Sequence, residues 1–94
     1  MIFLISLSYL TVNHFDMKNI STQQIKAARM LLEWDQVELA KRAGVGVATL
    51  RRLEAVPGTM LENTNSASKI ISALIDADIE FLNTSKGYGV RLKL

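Results

Sequence analysis

Gln36-Val37-Glu38-Leu39-Ala40-Lys41-Arg42-Ala43-Gly44-Val45-Gly46-Val47-Ala48-Thr49-Leu50-Arg51-Arg52-Leu53-Glu54 is the stretch that decides the fold. It reads as two short helices joined by a tight turn. Asp35 can cap the first helix, and Glu38 stands three residues later at capping-box spacing. Leu39, Ala40 and Ala43 recur on one face at helical intervals. Ala40 is small, which suits a close crossing of two helices. Gly44 can take the left-handed conformation that ends a helix and turns the chain sharply. Val45 follows as an apolar plug, and Gly46 is an acceptable but weak cap for the second helix. Leu50 and Leu53 then face the core. Ala48, Arg51, Arg52 and Ala55 fall on the opposite side, with Val47 at the helix start.

Such a pair is a helix-turn-helix, whose second helix can be offered to the major groove of DNA. The stretch resembles the Xre/Cro-like, lambda-repressor-like helix-turn-helix family. The matching residues are Gln36, Leu39, Ala40, Gly44, Val45, Thr49, Leu50, Leu53 and Glu54, with Arg29 on the preceding helix. A looser likeness extends over residues 20–94. The resemblance implies a mainly α fold, a lambda-repressor-like domain of four helices with a short C-terminal β-hairpin. It implies a sequence-specific transcriptional regulator of double-stranded DNA, a repressor, reading the major groove with helix 46–54. It also implies that Arg29 pairs with Glu54, orienting the helices more than stabilising them.

In this reading Gln36 and Thr49 contact phosphates and set the register. Val47, Ala48, Arg51 and Arg52 face base edges. An arginine there can donate two hydrogen bonds to guanine O6 and N7, a contact worth ~1–3 kcal/mol of discrimination. Val47 and Ala48 suit a thymine methyl. One such domain makes few phosphate contacts, so a homodimer on two half-sites is expected. Two other readings stay open. One is the antitoxin of a toxin–antitoxin pair, with a small toxin as partner. The other is a protein-interaction module that kept the fold and lost DNA. Val47 stands where relatives often carry a polar residue, and the connection 54–65 has Glu62 and no Lys or Arg. Both favour the latter slightly.

The 94 residues suffice for one small domain with a modest core, and 49% of them are hydrophobic, which excludes a disordered chain. There is no cysteine. That removes disulfides and thiolate-bound zinc and fits a reducing cytoplasm. Net charge is only +2, but it is unevenly spread. Residues 17–57 hold seven Lys or Arg against four Asp or Glu, whereas residues 58–94 hold four of each. Positive charge collects on the helix-turn-helix half, as phosphate binding needs. There is no nucleophile–base constellation, no glycine-rich phosphate loop and no metal cluster, and His14 is the only histidine. Neither an enzyme nor a cofactor is expected.

Met1 to Val12 is strongly apolar but too short to span a bilayer, which needs roughly 20 residues. It also lacks the basic start and cleavage site of a signal peptide. No membrane partner is expected. Residues 1–16 are then an apolar extension, whose first twelve residues could form a β-strand, or a misassigned start upstream of Met17, the latter being favoured. Residues 17–94 form the domain, with the hairpin at 79–94.

Ser21 or Thr22 should begin the first helix, with Gln24 at capping-box spacing and Ile25, Ala28, Leu31 and Leu32 in the core. Glu33 stands where relatives often have Gly, so the turn there can differ. Trp34 should anchor packing. Pro57-Gly58 breaks the connection that follows. A fourth helix over 66–78, capped by Thr64 or Asn65, buries Ile70, Ile71, Leu74 and Ile75. Residues 79–83 and 90–94 read as strands, and Val90, Leu92 and Leu94 alternate with Arg91 and Lys93. A lone hairpin is marginal in water, so it must pack on the helices or join a second copy through its edge strand.

Overall fold

The computed structural model of the protein describes residues 20–56 and 64–94. The readings for Met1–Val12, His14, Met17, Pro57-Gly58 and Glu62 lie outside the described residues. Four helices come first: α1 (Thr22–Leu32), α2 (Gln36–Ala43), α3 (Val47–Glu54) and α4 (Asn65–Asp76). A hairpin follows, β1 (Ile79–Thr84) and β2 (Gly87–Leu92). The fold is mainly helical, as expected, four helices closed by a C-terminal antiparallel pair.

Each helix start has a chemical cause. Ser21 Oγ accepts from the Gln24 amide at 3.2 Å, and Gln24 Oε1 accepts from the Ser21 amide at 2.9 Å, a complete capping box. Asp35 caps α2 through the Glu38 amide at 2.8 Å. Only half of the expected box forms there, because the Glu38 carboxylate turns instead to Arg42 at 2.6 Å. Thr64 caps α4 through the Ala67 amide. Gly46 caps α3 with no side-chain bond.

The turns are set by left-handed backbone. Gly44 ends α2 at φ 74°, where it fits without strain. Glu33 ends α1 at φ 58°, ψ 36°, the same conformation without glycine's freedom. Glutamate therefore turns the chain here in left-handed backbone, with the strain held in one residue.

The core joins Ile25 and Ala28 of α1, Leu39 and Ala40 of α2, Leu50 of α3, Ala67, Ile70, Ile71 and Leu74 of α4, and Ile79 and Phe81 of β1. Leu32, Trp34, Leu53, Ile75, Val90 and Leu92 pack around it, partly buried. Leu31 departs from expectation: it is 45% exposed. It stands on the same line of α1 as Gln24, two turns on, where Gln24 is buried against the hairpin and Leu31 is left uncovered. The strands pair from Ile79↔Leu92 to Thr84↔Gly87, which leaves Ser85-Lys86 as a two-residue turn. Both strands are thus longer toward the turn than the alternation suggested, and Leu94 lies beyond β2, exposed.

The hairpin sits on α1 and the end of α4. Buried Gln24 fastens it. Its Nε2 donates to the Gly89 carbonyl at 2.8 Å and to Asn83 Oδ1 at 2.9 Å. One side chain therefore caps α1 and closes both strands onto it.

Candidate nucleic-acid interface

The candidate site is α3, and its outward face follows from what its inward face must do. Leu50 and Glu54 are buried, one helical turn apart. Leu53 is half-buried beside them. The remaining positions have no core to enter, so Ala48, Arg51, Arg52 and Ala55 are exposed at helical spacing. Arg51 has no hydrogen-bond or ion-pair partner among the described residues. Arg52 Nη2 reaches Thr49 Oγ1 at 3.4 Å, a long and weak contact. Both guanidinium groups stand in solvent.

The other expected readers are placed less freely. Val47 is half-buried and packs against the core cluster, so only part of its side chain faces outward. Its place at the start of α3, next to the Gly44–Gly46 turn, explains this. Thr49 is also half-buried. The first-turn amides of α3 have no side-chain cap, since Gly46 lacks one. Such uncapped donors, with the positive end of the helix dipole, favour an anion.

Behind the face lies an ion cluster. Arg29 meets Glu54 side on: Nε donates to Oε2 at 2.9 Å and Nη2 to Oε1 at 2.8 Å. The Glu54 side chain is only 2% exposed and that of Arg29 13%. A third donor is Gln36 Nε2, 2.9 Å from Glu54 Oε1. Arg29 Nη1 also donates to the Trp34 carbonyl at 3.1 Å. One carboxylate at the end of α3 thereby holds α1, the α1–α2 turn and the start of α2. Three N–H donors match the lone pairs of a buried carboxylate, which would otherwise be costly to desolvate.

The Gln36 contact was not legible in the sequence. Gln36 and Glu54 are eighteen residues apart, and nothing in their types demands that they meet. The amide nitrogen carries two hydrogens, and Glu54 takes one, so a second remains for an outer acceptor. A similar surprise is Arg42, whose guanidinium lies 4.4 Å from the Trp34 ring centre. Trp34 is thus held from both sides, by the core and by a cation.

Among the described residues, no group of His, Cys, Asp and Glu comes together to hold a metal ion. No described helix is long and apolar enough to cross a membrane. The helix-turn-helix family model matches residues 25–55, which run from the first core residue of α1 to just past α3. No curated protein matches the chain.

Proposed function

Residues 25–55 are a helix-turn-helix of the Xre/lambda-repressor-like family, and from that premise we propose that the protein is a sequence-specific DNA-binding regulator, a repressor, that lays α3 in the major groove. The observation that carries the reading is the outward face of α3, with Arg51 and Arg52 in solvent above a fully packed inner face. Arg51, unpartnered among the described residues, is the better placed to reach a guanine edge. Ala48 offers a small apolar surface for a thymine methyl, and Val47 offers the exposed part of its side chain. Thr49 and the uncapped amides at the start of α3 meet phosphate, as does the second hydrogen of the Gln36 amide.

The Arg29–Glu54–Gln36 cluster supports this by fixing the angle of α3 before DNA arrives. Less conformational freedom is then lost on binding. With few direct readers, specificity comes from two copies on two half-sites.

Gel shifts at two salt concentrations test the reading against that of an interaction module. Phosphate contacts make log K fall with log salt, with a slope of about −0.9 per phosphate neutralised. A steep slope together with a preferred sequence supports the proposal. No binding at low salt would overturn it.

A further inference from the structure

A cavity of about 270 Å³ opens between α2 and α4, lined by Trp34, Arg42, Ala73, Asp76 and Ala77. Residue size accounts for it. Ala73 and Ala77 stand one turn apart at the end of α4, and neither methyl fills the space in front of it. Trp34, from the turn between α1 and α2, supplies an aromatic wall. The volume is just under the roughly 300 Å³ at which pockets for drug-sized ligands begin, so the occupant is a smaller molecule.

The charges that line the cavity are opposite and do not meet. Arg42 belongs to α2 and Asp76 to α4, and Asp76 has no partner among the described residues. Arg42 donates through Nε to Glu38 at 2.6 Å and lays its guanidinium 4.4 Å from the centre of the Trp34 ring. Both contacts hold the group in place, so a ligand has little freedom left to remove. The two terminal nitrogens of Arg42 remain as donors, and no described residue accepts from them. The indole N–H of Trp34 has no described acceptor either. One wall thus offers donors and positive charge, the other an unpartnered carboxylate, and the floor between them is apolar.

Such a set selects by charge. An anion meets Arg42 but is repelled by Asp76. A cation meets Asp76 but is repelled by Arg42. A neutral solute gains from neither. A molecule with a carboxylate and an ammonium on a short aliphatic stem satisfies both walls and covers the two alanines. We propose that this cavity is a binding site for a small zwitterion, a free amino acid. Its carboxylate takes the terminal nitrogens of Arg42, and its ammonium takes the carboxylate of Asp76. None of the lining residues belongs to α3, so the site stands apart from the DNA reading.

Trp34 is the only tryptophan of the chain, so its indole N–H resonance reports on the cavity directly. The full chain, without DNA, is titrated with L-leucine and with γ-aminobutyrate, two zwitterions of different charge spacing. Each is compared with its singly charged analogues, isocaproate and isopentylamine for the first, butyrate and propylamine for the second. At least one zwitterion should shift the resonance saturably with a Kd of about 1 mM, about tenfold tighter than either of its analogues. Asp76→Asn should bring that zwitterion level with its carboxylate analogue. The same variant should keep the unfolding midpoint, since the side chain is exposed and unpartnered. The absence of a saturable shift from both zwitterions overturns the proposal. So does an analogue that binds as tightly as its zwitterion, or an Asp76→Asn variant that binds as wild type does.

Discussion

Glu54 carries more of the architecture than its place at the end of a helix suggests. Its carboxylate is buried and receives Arg29 in two-point fashion and Gln36 besides. Removing its charge strands a guanidinium that has little access to water. Glu54→Gln should therefore destabilise the protein by about 3–5 kcal/mol in urea unfolding. Replacing both partners by apolar residues, Arg29→Met with Glu54→Met, should recover much of that loss, because no unpaired charge remains. A double variant as unstable as Glu54→Gln would show that the cluster stabilises beyond its own charges. Glu33 is the opposite case, a residue at odds with its backbone at φ 58°. Glu33→Gly should stabilise the protein by roughly 0.5–1 kcal/mol in urea unfolding. The Arg29–Glu54 pairing could be anticipated from family resemblance. The third donor could not, since a glutamine reveals its partner only when the helices are in place.

At the scale of elements, the helix ends were the most readable features. Ser21, Asp35, Gly44 and Gly46 announce themselves by type and spacing, because capping is local chemistry. What was hidden is how the hairpin attaches. The alternation of Val90 and Leu92 marks a strand with one inner face, but not which helix receives it. Gln24 decides that, bonding residues about sixty positions away in sequence. Leu31 was misplaced for a related reason: it shares a line of α1 with Gln24, and only the Gln24 end of that line is buried. Gln24→Leu should keep the apolar volume but leave the Gly89 carbonyl and Asn83 without this donor. A loss of about 2–3 kcal/mol is expected, with hydrogen exchange rising first in β1 and β2. Uniform exchange across all helices would contradict the assigned role. The start of α3 has room to improve. The nearest atom to an added Cβ at Gly46 is Thr49 Oγ1 at 3.9 Å. Gly46→Ser should add a few tenths of a kcal/mol in thermal unfolding, by supplying the missing cap.

The whole molecule divides its surfaces by chemistry. One core of aliphatic side chains joins all four helices and the first strand, which leaves α3 little choice of face. The cationic excess of the helix-turn-helix half then lies with the helix that a groove can accept. The most direct measurement is selection from a random double-stranded DNA pool, run in parallel with wild type and with Arg51→Ala/Arg52→Ala. Wild type should enrich a common sequence. The double variant should keep its helical spectrum and unfolding midpoint, since both side chains are exposed, yet enrich nothing. Recovery of the same sequence with wild-type affinity by the double variant would contradict the assignment of α3 as the reading helix.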